Sequence, residues 1–264
     1  MKVRTVETGR GARVRVLEAG APSGQPLLFL HGLAGPLDQH VFLDRLAERY
    51  RVLAPELPGY GDSAGEDLLE DMLDFTLHGW DVAAALGVTG QRPHLVGHSL
   101  GGMIAAEMAC IAPEAIGRLV LVDAYGLWLD EHPIPDVFTF LPFEFGDYLF
   151  RDQALGPALL TGGTDFSDPA ATKDFLVSNA RRLGTAGKML FPVPNRRVSK
   201  RLYRLAAETL VLWGECDQLM APAYAARWAE LLPSARVVVV PEAAHMGLYE
   251  QPEVFAKEVS AFLG

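Results

Sequence analysis

The sequence has little cysteine. Cys110 and Cys216 are its two cysteines among 264 residues, which is too few for a disulfide framework or a cysteine-ligated metal site. Cys110 lies in a run of small residues typical of a helix, and we expect both thiols to be buried apolar groups. The composition therefore predicts neither a disulfide scaffold nor a metal centre.

Basic residues are also scarce relative to acidic ones. The chain has 23 Lys and Arg residues against 33 Asp and Glu residues, a formal net charge of −10. Binding to a phosphate backbone needs a basic surface. We therefore expect no nucleic-acid partner.

Long apolar runs and nucleotide-binding motifs are missing as well. The first twenty residues alternate apolar and polar side chains, as in a hairpin, and lack the apolar core of a signal peptide. No segment approaches the roughly 20 apolar residues of a membrane span. The glycines near Gly59 and Gly101 lack the third glycine or the lysine of a phosphate-binding loop. The sequence predicts a cytoplasmic protein without membrane insertion and without a cofactor.

Short apolar runs alternate with helical stretches along most of the chain. The apolar runs are Leu27–Leu30, Val52–Ala54, His94–Val96, Leu119–Val122, Leu210–Trp213 and Val237–Val240. The predicted helices cover residues 41–49, 67–86, 99–112, 222–232 and 252–262. Runs that are apolar on both faces favour a parallel sheet covered by helices on both sides. Val3–Glu7 and Arg13–Glu18 predict an antiparallel pair before it. The expected fold class is α/β, with a mostly parallel, doubly wound sheet.

The alternation fails between residues 124 and 207. This stretch is rich in proline, glycine and aromatic residues and shows no clear strand. We therefore predict a core formed by residues 1–123 and 208–264, with residues 124–207 inserted as a helical excursion from the sheet.

A G-x-S-x-G motif, from Gly97 to Gly101, lies between an apolar run and a helical run. A serine at such a turn has a strained backbone that brings its hydroxyl above the sheet. Ser99 is therefore the predicted nucleophile.

A nucleophilic serine needs a base, and the base needs an orienting acid. His245 follows the Val237–Val240 run, so we expect it at the carboxyl end of a strand, where open α/β sheets place their sites. Asp217 follows another strand at the same edge and is the favoured acid. Asp123 and Glu215 remain alternatives.

Acyl transfer also needs hydrogen-bond donors for the developing oxyanion. The Leu100 N–H follows the nucleophile at the start of a helix. The second donor is predicted to be the Leu33 N–H, in the glycine-containing turn after Leu27–Leu30. The His31 side chain is expected to brace this turn.

Together these segments resemble the α/β-hydrolase superfamily over nearly the full chain. The matching pieces are His31-Gly32, Pro58 to Ser63, Gly97 to Gly102, Gly214 to Asp217, His245, and the ending Glu250 to Glu253. Glu56 stands where members typically carry Asp, and we expect no effect on the chemistry. The resemblance implies an α/β-hydrolase fold in which residues 124–207 form a cap.

The resemblance implies a serine hydrolase, and a serine at the turn disfavours the relatives that use aspartate there. We expect a carboxylesterase that forms an acyl-enzyme from small to medium, largely apolar acyl esters. One alternative is a hydrolase that cuts a carbon–carbon bond of a diketo acid. Another is a non-enzymatic ligand receptor of the same fold.

Two groups of residues bear on the substrate. The candidate pocket residues are His31, Gly32, His98, Trp128, Phe138, Phe143 and Met246. The aromatic run from Phe138 to Phe150 either lines that pocket or forms the core of the cap. The cap is also rich in basic residues: Arg181, Arg182, Lys188, Arg196, Arg197, Lys200, Arg201 and Arg204. They form a solvated face, or one of them binds an anionic substrate group.

Overall fold

Eight strands form one sheet in the computed structural model, which describes residues 1–37, 40–141, 143–193 and 198–264. The strands are Lys2–Glu7 (β1), Arg13–Ala19 (β2), Pro26–Leu30 (β3), Arg51–Pro55 (β4), His94–His98 (β5), Leu119–Val122 (β6), Thr209–Gly214 (β7) and Ala235–Val240 (β8). Their order is β1-β2-β4-β3-β5-β6-β7-β8. β2 pairs antiparallel with β1 and β4, and the remaining pairs are parallel. The predicted fold class is confirmed.

Helices occupy the connections between these strands. They are Val41–Ala47 (α1), Met72–Ala85 (α2), Leu100–Ile111 (α3), Phe145–Leu149 (α4), Leu155–Thr161 (α5), Pro169–Leu190 (α6), Ala223–Leu231 (α7), Gly247–Glu250 (α8) and Pro252–Leu263 (α9). The start predicted for α2 at residue 67 is wrong. The Asp71 side chain caps the helix by accepting the N–H groups of Leu73 and Asp74, so the first turn forms there. In the described ranges, no helix is long and apolar enough to cross a membrane.

The sheet separates two hydrophobic cores. Alternate strand residues such as Leu28, Leu95 and Leu121 pack with α2, α3 and α7 on one side. Their neighbours, such as Leu27 and Val96, pack with α1 and α9 on the other side. Successive side chains of a strand point to opposite faces. Burial on both faces of the sheet therefore explains the continuous apolar runs of β3 to β7, whereas Val237 and Val239 of the edge strand β8 are exposed.

The chain leaves the sheet between β6 and β7. This helical insert (residues 124–207) contains α4, α5 and α6, and its described residues include no strand of the sheet. Asp168 caps α6 by accepting the N–H of Ala170. Arg196 and Arg197, two of the cations noted in the sequence, lie outside the described residues. The domain boundaries drawn from the sequence stay a prediction.

An ion pair joins the helical insert to α3. Arg201 Nε donates to Glu107 Oε2 at 2.6 Å, and the Glu107 side chain is 3% exposed. A buried carboxylate that loses its partner is strongly destabilising, because its charge remains desolvated. The ion pair therefore anchors the insert to the helix that begins at Ser99.

We predict that Arg201→Met lowers the free energy of unfolding by about 2 kcal/mol. Urea denaturation of the variant and the wild type measures the difference. The double variant Glu107→Leu/Arg201→Met, which leaves no unpaired charge, should recover a large part of the loss. An equal loss in the two variants would contradict the ion-pair explanation.

Candidate active site

The turn between β5 and α3 has an unusual backbone conformation. Ser99 has φ 55° and ψ −119°, a region that side-chain-bearing residues rarely occupy. Its N–H donates to the Val122 carbonyl at 2.8 Å. A Cβ on Gly97 or Gly101 would overlap neighbouring backbone atoms. The turn therefore requires both glycines of the motif and holds the Ser99 side chain at the carboxyl end of the sheet.

His245 connects the serine to a carboxylate. Its Nε2 lies 2.9 Å from Ser99 Oγ, and its Nδ1 lies 2.8 Å from Asp217 Oδ2. The other Asp217 oxygen accepts the N–H groups of two residues in its own loop, Leu219 and Met220, at 2.8 Å each. These bonds hold the carboxylate, and the carboxylate fixes the His245 tautomer with Nε2 free to accept the serine proton.

The two alternative acids have other partners. Glu215 accepts the Glu242 N–H at 3.2 Å. Asp123 is fully buried, and its Oδ1 accepts the Gly214 N–H at 2.8 Å. The structure therefore brings His245 together with Asp217, the acid favoured from the sequence, and gives Asp123 and Glu215 no hydrogen bond to His245 among the contacts of the described residues.

Two further histidines are buried next to this chain of hydrogen bonds. His98 Nε2 donates to the His245 carbonyl at 2.8 Å, and burial lowers the pKa of His98 to about 3. His31 Nε2 accepts the Leu57 N–H at 3.0 Å, while Nδ1 donates to the Gly32 carbonyl at 2.9 Å. Burial lowers the pKa of His31 to about 4. Both rings are neutral at pH 7 and brace the loops around Ser99.

The two predicted oxyanion donors are at the expected positions. Leu100 is the first residue of α3, and Leu33 lies in the turn closed by the hydrogen bond from Gly35 N–H to the Gly32 carbonyl. Neither the Leu33 nor the Leu100 N–H donates to an acceptor within the described part of the chain. Both groups are therefore available to an oxygen bound beside Ser99.

A cavity lies over Ser99 and His245. Apart from these two, its lining consists of Leu33, Ala34, His98, Phe145, Leu149, Leu160, Phe175, Asn179, Arg182, Leu183, Leu219 and Met246. Most of these side chains are apolar and come from the helical insert. Of the candidate pocket residues from the sequence, His98 and Met246 line it.

The other candidate pocket residues lie elsewhere. Trp128 and Phe138 line a separate cavity, and the Phe138 ring stacks on Phe191 with centroids 4.6 Å apart. Phe143 is 77% exposed in a surface groove. His31 and Gly32 belong to the loop beside Ser99 and do not line the cavity over it. Of the aromatic run from Phe138 to Phe150, Phe138 thus packs within the insert and Phe143 is exposed, whereas Phe145 lines the cavity over Ser99.

The sequence analysis missed the face that α6 presents to the cavity. Phe175, Asn179 and Arg182 follow one another at spacings of four and three residues, which puts them on one side of the helix. Periodicity along residues 169–190 is the signal from which this face could be found. Arg182 had been noted, but as one member of a basic group.

Glu56, the departure from the family pattern, lies away from Ser99. Its carboxylate pairs with Arg15 on β2, and it is absent from the lining of the Ser99 cavity. Burial raises the pKa of Glu56.

The described cations of the insert differ in their partners. Arg181 pairs with Glu66 at 2.6 Å, Lys188 Nζ donates to the carbonyls of Glu66 and Leu69, and Arg204 Nε donates to the Cys110 carbonyl. Lys200 is exposed. They therefore bond to the core or face solvent.

Arg182 lines the cavity, and among the described residues it has no carboxylate partner. It donates to Asn179 Oδ1 at 2.9 Å and to the Ala34 carbonyl at 3.2 Å. Burial lowers the pKa of Arg182.

No group of three His, Cys, Asp or Glu side chains in the described ranges is arranged to hold a metal ion.

Comparison with known proteins gives hydrolases. The sequence model of the alpha/beta hydrolase family matches residues 27–258. Lipase 1 of Psychrobacter immobilis is 25% identical over 99% of this chain and 84% of its own length. The 2-hydroxy-6-oxononadienedioate/2-hydroxy-6-oxononatrienedioate hydrolase of Comamonas testosteroni is 25% identical over 99% of this chain and 91% of its own length. A crystal structure of a membrane phospholipase A superposes with a TM-score of 0.83, 26% identity, and coverage of 99% of this chain and 85% of that one.

We predict that a fluorophosphonate probe labels Ser99, because its hydroxyl is hydrogen-bonded to an imidazole nitrogen of His245 beside an apolar cavity. Peptide mass spectrometry locates the label. Ser99→Ala should abolish labelling. Ser234→Ala removes an exposed serine from the opposite edge of the sheet and should label like the wild type. A label at another residue would contradict the assignment.

Proposed function

Because this chain belongs to the α/β-hydrolase family, we propose that it is a serine hydrolase of carboxylic esters with small to medium, largely apolar acyl groups. The proposal rests on one observation: a buried chain of hydrogen bonds runs from Ser99 through His245 to Asp217, beneath an apolar cavity. In the proposed mechanism, Ser99 is the nucleophile, His245 the base and Asp217 the orienting acid.

The first half-reaction forms an acyl-enzyme. Ser99 Oγ attacks the ester carbonyl carbon while its proton passes to His245 Nε2. The carbon–oxygen bond to the alcohol then breaks, and His245 returns the proton to the leaving alkoxide. The Asp217 carboxylate stabilises the imidazolium that forms between the two steps.

The second half-reaction uses water. His245 takes a proton from a water molecule, whose oxygen attacks the acyl carbon. The bond to Ser99 Oγ breaks, His245 protonates the serine, and the carboxylic acid leaves. Each complete half-reaction returns His245 to its starting protonation state, and the second also restores the Ser99 hydroxyl.

The negative charge of each tetrahedral intermediate falls on the former carbonyl oxygen. The unengaged N–H groups of Leu33 and Leu100 are the proposed donors to it. The N-terminal end of α3 adds a favourable dipole at this position. These groups need no rearrangement when the charge develops.

The helical insert is proposed to act as a cap over this chemistry. Phe145, Leu149, Leu160 and Phe175 enclose the cavity from the insert side and favour an apolar acyl group. The lipase name of the Psychrobacter relative agrees with ester hydrolysis. The cytoplasmic location stays a prediction from the sequence.

Ser99→Ala is expected to lower kcat for a chromogenic short-chain ester by about a thousandfold or more, because the nucleophile is lost. Asp217→Ala should cause a loss of similar order, because His245 loses its orienting acid. Circular dichroism and the unfolding midpoint establish that the variants remain folded. If Asp217→Ala retained most activity, another acid would serve His245. If the wild type bound a small ligand but did not hydrolyse the ester, the non-enzymatic ligand receptor would be the favoured function.

One observation favours a second candidate, the hydrolysis of a carbon–carbon bond in a diketo acid. Arg182 projects a cation into the same cavity as Ser99, and no carboxylate of the described residues pairs with it. A guanidinium in such a position suits a substrate carboxylate. The name of the Comamonas relative describes a substrate of this kind.

The variant Arg182→Gln tests this candidate function, and the neighbouring variant Arg181→Gln serves as its control. We predict that Arg182→Gln lowers kcat/KM for a carboxylate-bearing ester or a diketo acid roughly tenfold more than for the neutral ester, since a charge-assisted hydrogen bond is lost. Arg181→Gln, which removes a cation that pairs with Glu66 outside the cavity, is the matched control and should not change this preference. Equal losses on both substrates in Arg182→Gln would exclude carboxylate recognition.

A further inference from the structure

Asp123 is a second buried carboxyl group beside the proposed acid. It follows β6 directly, has φ 45° and is 0% exposed. Its N–H donates to the Leu212 carbonyl on β7 at 3.1 Å, and its Oδ1 accepts the Gly214 N–H at 2.8 Å. Its Oδ2 is buried and accepts no hydrogen bond from the described residues. One oxygen of the Asp123 carboxyl group therefore has a hydrogen-bond donor, and the other has none among the described residues.

The charged groups around Asp123 disfavour a second anion. The Asp217 carboxyl lies beside Asp123, and Glu250 in α8 adds further negative charge. Two adjacent buried carboxyl groups do not both ionise. Burial, reinforced by Asp217, raises the pKa of Asp123 well above its usual range.

The hydrogen bonds decide which of the two carboxyl groups keeps the proton. Asp217 receives two backbone N–H groups and the His245 imidazole, three donors that stabilise an anion. Asp123 receives one N–H group. The anion therefore belongs on Asp217 and the proton on Asp123, whose Oδ2 has no other donor.

We propose that Asp123 is a neutral carboxylic acid that donates a hydrogen bond from Oδ2 to Asp217 and thereby positions the acid of the site. The proposal deepens the function proposed above and depends on it for its effect on turnover. Asp123 does not touch the substrate, so it is a positioning residue. It also disperses part of the Asp217 charge that would otherwise act on His245.

This arrangement determines whether loss of the Asp123 donor moves the pH dependence of activity to higher or to lower pH. His245 must be neutral to take the proton of Ser99, so activity falls on the acid side as the imidazole is protonated. Without the Asp123 donor, the charge on Asp217 is more concentrated and stabilises the imidazolium more strongly. The acid limb of kcat/KM then lies at higher pH.

Asp123→Asn is the conservative test. Its amide oxygen accepts the Gly214 N–H and its NH₂ donates to Asp217, while asparagine tolerates the positive φ. We expect kcat/KM within about threefold of the wild type and an unmoved acid limb. If Asp123 were ionised in the wild type, the substitution would remove a negative charge and move the limb to lower pH, which would overturn the proposal.

Asp123→Ala removes the donor. We expect the acid limb to rise by roughly one pH unit and kcat/KM at its plateau to fall roughly tenfold. Thermal unfolding of both variants measures the structural cost separately. If Asp123→Ala lost stability while the acid limb of kcat/KM stayed at the wild-type pH, Asp123 would have only a structural role. That result would overturn the positioning role.

Infrared spectroscopy tests the proton directly and needs no turnover. The difference spectrum of wild type minus Asp123→Asn at neutral pH should contain the C=O band of a protonated carboxyl group, shifted by deuterium exchange. Carboxylate bands in its place would overturn the proposal. This measurement remains decisive for Asp123 even if the protein does not hydrolyse esters, so its failure and that of the proposed function are distinguishable.

Discussion

The strained backbone of Ser99 is the constraint on which the rest of the site depends. A residue held in such a region costs about 1–3 kcal/mol, and here the surrounding structure holds it. The Ser99 N–H is bonded to β6, and its carbonyl accepts the N–H groups of Met103 in α3 and Tyr125 in the insert. A helix, a strand and the beginning of the insert thus meet at one residue. The same contacts aim the hydroxyl at His245 and leave the Leu100 N–H, at the start of α3, without an acceptor among the described residues.

Burial gives this hydrogen-bonded system its strength. Ser99, His245 and Asp217 are each less than 5% exposed, so the bonds between them form in a medium of low polarity, where they are stronger and where an unpaired charge is costly. The same burial keeps His31 and His98 neutral, which limits the positive charge next to His245. It also makes a second anion at Asp123 unfavourable. One physical condition thus accounts for the protonation states around the site.

The sequence was informative where local geometry decides the structure. The G-x-S-x-G turn requires its glycines, and the apolar runs of β3 to β7 are buried on both faces, so the sheet and the juxtaposition of Ser99, Asp217 and His245 could be predicted. The sequence was less informative where the packing of helices determines which side chains face the cavity. Trp128, Phe138 and Phe143 are aromatic residues of the same kind as Phe145, and the arrangement of the insert's helices determines that Phe145 alone of these lines the cavity. Likewise, Asp123 and Asp217 both follow neighbouring strands, and side-chain orientation separates them.

The basic residues of the insert have two roles. Most of the described ones attach the insert to the core, and Arg182 faces the cavity where a substrate would bind. On an acidic protein, a group of cations first suggests a solvated face, yet Arg181, Lys188 and Arg201 bond to acidic side chains or carbonyls of the core. They hold the insert down over the sheet. Arg182 differs from Arg181 by one position, which on a helix turns the side chain by about 100° and directs it into the cavity over Ser99. The helix that closes the cavity thus also supplies the cation that lines it. A change that shifts α6 against the core would therefore alter both the enclosure of the site and the charge that a substrate meets there.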